Sequence, residues 1–210
     1  MEHTDQAAEG FSSEDYERHH ALKAAALERL LGPMHGLVGH AIIPYFVGGA
    51  VDMYYFPNVT EGTACVTMDL IEPAGTGPLP SKAGTYELIA FTRHKIGDAS
   101  AAEAFKAIER RICGIFTTVG RYSKGATLNP GETCEVPVKG GPNRRLVFDE
   151  FTNAERRFAI GDKVHALLLC IEVLPQEMKF AMKHGSRQLL DRLKSHGAYP
   201  YSDLDRQPVV

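Results

Sequence analysis

The feature that most limits the fold is the stretch KVHALLLCIEVLP, residues 163–175. Its apolar residues show neither a two-residue nor a 3.6-residue period. Such a run reads as a strand buried on both faces at the centre of a sheet. Pro175 cannot donate to the ladder and is suited to the first turn of a helix. Both faces of that strand need apolar cover, and the rest of the sequence supplies it. Leu22, Ala26, Leu27, Leu30 and Leu31 recur at helical spacing between a cap at Ser12 or Ser13 and a stop at Gly32-Pro33. Phe105, Ile108, Ile112, Ile115, Phe116 and Val119 form the stripe of a longer helix. Ser100 and Glu103 have the spacing of a capping box for it, and Gly120 is placed to end it. Beyond Pro175, Met178, Ala181 and Met182 share one side of a short helix. Gly185-Ser186 then separates it from a helix carrying Leu189, Leu190 and Leu193.

The remaining apolar segments have strand character. From Ile42 the pattern turns to strands. VDMYYF (51–56) is apolar on both faces, and TACVTMDL (63–70) alternates, so the two read as a hairpin. TYELIAFTR (85–93), the end of LNPGETCEV (128–136) and RRLVFDEF (144–151) supply further strands. Strands in neighbouring pairs with helices between the groups predict an α+β fold: a mixed, largely antiparallel central sheet flanked by helices. EPAGTGPLPSKAG (72–84) is a long Gly/Pro-rich loop. Residues 1–11 read as a mobile tail and 12–210 as a single domain, a size at which about 70% of the unfolded surface is buried without staples.

The chemistry-bearing residues are dispersed. Lys and Arg number 23 against 26 Asp and Glu. That balance gives no attraction for a phosphate backbone, and no nucleic-acid partner is expected. The four cysteines have no metal-knuckle or redox spacing, no run has the length of a membrane span, and the start of the chain lacks a signal peptide's pattern. These features predict a reduced, cytoplasmic protein away from the membrane. Nine histidines include no H-E-x-x-H pair. His35 and His40 stand in a Gly-rich loop, and His165 in the central strand is expected to face solvent at a strand end or to be hydrogen-bonded. No metal or cofactor is expected, because divalent ions need three or four convergent ligands. Glu87 and Glu172 stand in apolar strands. They are either acids on the wet face of a half-buried sheet, acids paired with arginine or, in the alternative reading as a hydrolase or small-molecule binder, a general acid/base pair. Tyr54 and Phe56 share a strand face, as core or as a contact surface for a partner. The 51–56 strand is also a candidate edge for a homodimer.

VDMYYFPN, TACVTMDL and TYELIAFTR, in that order, resemble the opening strands of the suppressor-of-fused domain. AFKAIERRICGIFTTVGRYS with GATLNPGET resembles its long helix and following turn. LLLCIEVLPQEMKFAMKHGSRQLLDRL with YSDLDR is similar to its C-terminal strand, helices and Asp/Arg ending. The likeness runs from about residue 28 to 208. It implies an α+β domain that binds other proteins and has no catalytic role. For compact single-lobe forms it implies an immunity protein that neutralises a toxin. Glu87, Glu177, Gly185, Asp203 and Arg206 are the matching positions, read as structural, with Asp203 and Arg206 as a local ion pair. Asp69 departs from the family's glycine at that place. Of the loop from which the animal domain draws binding residues, only Glu72 is an acid here.

Overall fold

The computed structural model describes residues 11–137, 142–151 and 157–210. The tail expected over residues 1–11 therefore lies almost wholly outside the described residues. In chain order the elements are α1 (Ser13–Leu31), β1 (Val38–Gly39), β2 (Met53–Phe56), β3 (Thr63–Val66), β4 (Tyr86–Thr92), α2 (Ala102–Ser123), β5 (Thr133–Val136), β6 (Arg144–Glu150), β7 (Phe158–Ile160), β8 (Lys163–Glu172), α3 (Pro175–His184) and α4 (Ser186–Ser195). The sheet runs β1-β2-β3-β4-β8-β6-β5, with β7 folded onto β8. Among the described residues β4 and β8 pair parallel and the other strand pairs are antiparallel. This is the expected α+β architecture, a mixed and mostly antiparallel sheet with helices on it.

The strand at 163–172 sits between β4 and β6, as its unbroken apolar run requires. Alternation sorts its residues: Leu167, Leu169 and Ile171 enter one core with Leu27, Leu31, Leu189, Leu190 and Leu193 of α1 and α4. Ala166, Leu168 and Cys170 enter the other, under Ile112, Ile115 and Phe116 of α2. Full burial of each such leucine contributes about 1.5–3 kcal/mol, so the two cores carry most of the fold's stability.

Local chemistry moves several boundaries. Ser12 caps α1, and Asp15 returns the bond at 2.9 Å to the Ser12 N–H. Asp98, rather than Ser100, opens the second helical segment: its side chain accepts from the Ser100 N–H, and a 3-10 turn at Ala99–Ala101 precedes α2. Gly120 does not stop α2. The side chains of Leu70 and Tyr45 press so closely on it that a Cβ would meet Leu70 at 2.9 Å, so this glycine serves packing. Met182 is 78% exposed, not core, because α3 buries Met178 and Ala181 instead. The short strand β7 has a readable cause: Gly161, at φ 62°, and Asp162 form a two-residue connection that turns Ile160 onto Lys163.

β2 is paired on one side by β3 and on the other by β1, and His35 donates its N–H to the Tyr55 carbonyl at 2.8 Å. The 51–56 strand therefore has no free edge for the homodimer expected there. Its neighbour β1, two residues long, is the outermost strand at that side.

The C-terminal segment is held by Glu177. Its carboxylate is fully buried and receives four donors: Arg206 Nη1 at 2.5 Å and Nη2 at 2.9 Å, the Val209 N–H at 3.0 Å and the Leu174 N–H at 2.8 Å. Arg206 thus pairs with Glu177 and not with Asp203. Asp203 instead accepts from Thr92 Oγ1 at 2.6 Å and the Arg93 N–H at 2.8 Å at the end of β4. Gly185, with φ 95°, forms the joint between α3 and α4. Arg206→Ala leaves a buried charge unpaired and should lower the unfolding free energy by about 3–5 kcal/mol, read as a fall in the urea midpoint. Arg206→Lys should recover part of it, since one ammonium cannot reproduce the two-pronged contact.

Candidate functional site

A concavity of about 740 Å³ lies between α1, the segment 40–52 and the turn at 68–73. Its floor is set by one buried ion pair. Lys23 of α1 and Glu87 of β4 are 1% and 0% exposed, with Nζ 2.6 Å from Oε1. The Lys23 ammonium also donates to the carbonyls of Met68, at 2.7 Å, and Ile71, at 2.6 Å. Glu87 accepts further from Thr67 Oγ1 at 2.7 Å, the Leu70 N–H at 3.2 Å and the Ile71 N–H at 3.0 Å. Both charges are fully hydrogen-bonded, the condition under which a buried ion pair is tolerated. Together they bind α1, β4 and the 67–71 turn into one unit.

Above that floor α1 presents His19 and His20. His19 Nε2 meets the Ile71 carbonyl at 3.0 Å, and His20 Nε2 meets Tyr54 Oη at 2.9 Å. Burial depresses the pKa of both rings, with the neighbouring Lys23 charge acting the same way. The opposite wall is a loop pinned at several points. Asp52 accepts from His40 Nδ1 at 2.8 Å and from the Ala41 N–H at 2.8 Å. Arg121 of α2 donates to the carbonyls of Gly48 and Gly49. Gly49 lies so close to Ile43 that a Cβ would sit 1.6 Å from its carbonyl oxygen. Pro44 precedes a 3-10 turn at Tyr45–Val47, which buries Tyr45 and turns its neighbours outward. Ile42, Ile43, Phe46 and Val47 are 101%, 57%, 75% and 62% exposed. An apolar cluster displayed on a pinned backbone is the kind of surface that marks interaction sites. Leu37, on the far side of β1, joins Ile96 and Phe105 around a smaller cleft of about 350 Å³.

Asp69 is the electrostatic oddity of the cleft. It accepts from the Asp52 N–H at 2.7 Å, yet burial pushes its carboxyl up to about 6, and the nearby Glu87 and Asp52 charges add to the rise. Tyr45 is likewise pushed up to about 12 by burial.

The sequence-predicted residues distribute unevenly around this site. Glu72 lines the cleft; it bonds Thr76 Oγ1 at 2.7 Å and faces Lys124 at 3.5 Å. Tyr54 is 5% exposed and reaches the site through its hydroxyl and ring against His20, while Phe56 is wholly in the core and offers no side-chain surface. Glu87 lies buried beneath the cleft, and Glu172 does not approach it. Glu172 faces α2 and pairs with Arg111 at 2.8 Å and Arg144 at 3.4 Å, whereas Glu87 faces α1. With the sheet between them, they cannot act as a general acid/base pair. His165 is buried and meets Thr85 Oγ1 at 2.5 Å. The three cleft imidazoles each engage a different partner, and among the described residues no group of three His, Cys, Asp or Glu is arranged to hold a metal. No helix among the described residues is long and apolar enough to cross a membrane.

The segment 42–47 does not form the strand pattern expected from Ile42; a loop and a 3-10 turn stand there instead. Its sequence, IIPYFV followed by Gly48-Gly49, held the contrary signal: a proline and two glycines bracket it as a loop. Lys23 carried no sequence signal, since its partner lies 64 residues away.

A chain of the Sufu–Fu complex crystal structure superposes on this one with a TM-score of 0.58 and 16% sequence identity, covering 93% of this chain and 92% of that one. The protein therefore has a suppressor-of-fused-like fold. No family model and no curated protein matches the chain.

Lys23→Ala should cost about 3–5 kcal/mol of stability in urea denaturation, because Glu87 is left buried without a counter-charge. Asp69 behaves oppositely. Its folded pKa lies above the unfolded value, so the ionised form is disfavoured in the fold, and the stability this group contributes is present at low pH and lost as pH rises through about 6. Asp69→Asn should therefore raise stability by about 1–3 kcal/mol at pH 8. The gain should shrink as pH falls through 6 and vanish near the ordinary carboxylate pKa of about 4.

Proposed function

We propose that this chain is a protein-binding domain with no catalytic role, and that residues 12–210 act as one unit. It takes a polypeptide partner on the wall formed by Ile42, Ile43, Phe46 and Val47 and in the cleft beside it. The observation that carries this reading is the exposure of those four apolar side chains on a loop fixed by Arg121, Asp52 and the close contact at Gly49. A loop so constrained cannot fold its apolar residues inward, and their desolvation by a partner is worth about 25 cal/mol for each Å² covered. The fold's likeness to a chain from a complex of Sufu with Fu supports a protein as the partner. The partner class that the suppressor-of-fused resemblance implies for a compact single-lobe form is a toxin, which the domain would neutralise by covering it. The engagement of His19, His20 and His40 by three separate partners speaks for binding over the hydrolase alternative.

The test is capture from the native lysate with a tagged chain, followed by identification of a stoichiometric partner. Ile43→Ser combined with Phe46→Ser should abolish capture of that partner, while Met182→Ser, on the exposed side of α3, should leave it intact. Equal capture by all three proteins would remove the wall from the interface. If the partner inhibits growth when expressed alone, co-expression with the unmodified chain should restore growth and the double variant should not.

A further inference from the structure

We propose that the cleft between α1 and the 40–52 segment receives a cationic side chain of the partner, a lysine or arginine set against the Asp69 carboxylate, with apolar residues on either side of it packed on Ile43 and Phe46. The inference rests on the protein-binding reading above and adds the chemistry of the segment bound.

The lining is charge-imbalanced. Glu17, Asp52, Asp69 and Glu72 line the cleft, and among the described residues no lysine or arginine does. The Lys23 ammonium beneath it is fully committed: an ammonium has three protons, and those of Lys23 go to the Met68 carbonyl, the Ile71 carbonyl and Glu87. None is left for Asp69. Lys124 is drawn to the outer side of Glu72 and stands over the Tyr45 ring at 5.1 Å. Asp69 Oδ2 holds the Asp52 N–H, while Oδ1 accepts no hydrogen bond among the described residues. A partly buried carboxylate near two other acids, with one oxygen unused, has no cation bonded to it among the described residues. A guanidinium or ammonium entering from outside supplies it and is flanked by the apolar wall that would accept its neighbours.

The arrangement also fixes the pH dependence. The charges acting on Asp69 are Lys23 on α1, Asp52 on the loop and Glu87 on β4, and Glu17, His19 and His20 of α1, His40 of the loop and Glu72 of the turn line the same cleft. Burial holds His19 and His20 below the ordinary histidine range, so both rings are neutral at pH 7. As pH falls, Asp69 loses its charge near 6. That removes the attraction for a cation, so affinity for it must weaken on acidification.

The experiment compares two synthetic tripeptides, N-acetyl-Leu-Arg-Leu-amide and its citrulline counterpart, which keeps the shape and removes the charge. Binding is followed on the full chain by backbone amide NMR shifts. At pH 7 the arginine peptide should bind about tenfold more tightly than the citrulline peptide, the scale of one charge-assisted contact in a partly desolvated site. Shifts should centre on residues 41–46, 52 and 69, and the difference between peptides should close by pH 5. Asp69→Asn, which keeps an oxygen for the Asp52 N–H, should close it at pH 7. The comparison of peptides on the unmodified chain stands even if that variant fails to fold. Equal binding of both peptides in the cleft would overturn the cationic specificity and leave the protein-binding reading standing. Arginine-dependent shifts centred elsewhere, or none, would also overturn it, and the wall variants would then decide the broader reading separately.

Discussion

The ion pair between Lys23 and Glu87 is the contact on which the site depends. It joins a helix at the start of the chain to the strand beside the sheet centre, and each charge is also bonded to the turn between 67 and 71. Two charges in an apolar interior are costly unless every proton and lone pair is used. Here the Lys23 ammonium makes three bonds and the Glu87 carboxylate four. That demand leaves little freedom in the position of α1 or the turn. The cleft is the space those constrained elements leave between them and the 40–52 loop.

Glu177 repeats the device at the other end of the molecule. It too collects four donors, and through Arg206 and Val209 it ties the C-terminal segment to α3. Asp203 performs a similar tie to the end of β4. These carboxylates stabilise chain segments that have no sheet ladder of their own. Asp69 differs from them in kind. It is partly buried among like charges with a single donor among the described residues, and its ionisation works against the fold. Polar groups that cost stability while facing a cleft are characteristic of sites shaped for something other than folding.

The wall beside the cleft follows the same logic. Ile42, Ile43, Phe46 and Val47 have the composition of a core strand and are placed in solvent by restraints on their backbone. Arg121 holds the carbonyls at 48 and 49, Asp52 holds the loop's start, and Tyr45 alone turns inward to the α2 face. Apolar side chains in water and an uncompensated negative cleft then lie side by side. The pair of properties defines a surface that a polypeptide with both apolar and cationic character would complement.

Much of the architecture was legible because it follows from local periodicity. The unbroken apolar run at 163–172 required a doubly covered strand, and the stripe from Phe105 to Val119 required a helix to cover it. Pro175 and Gly185 marked the helix boundaries where their backbone restrictions demand them. The cleft was not legible, since its parts are joined by contacts between residues far apart in the chain. Nothing beside Lys23 in the sequence points to Glu87, nothing beside Arg206 points to Glu177, and Tyr54 reads alike whether its hydroxyl meets water or His20. The sequence by itself determined which segments are strands and helices and which faces they bury, because those properties repeat every two or 3.6 residues. Only the tertiary structure decided which charges are satisfied and which face outward, because hydrogen-bond partners and dielectric surroundings are set by packing across the whole chain.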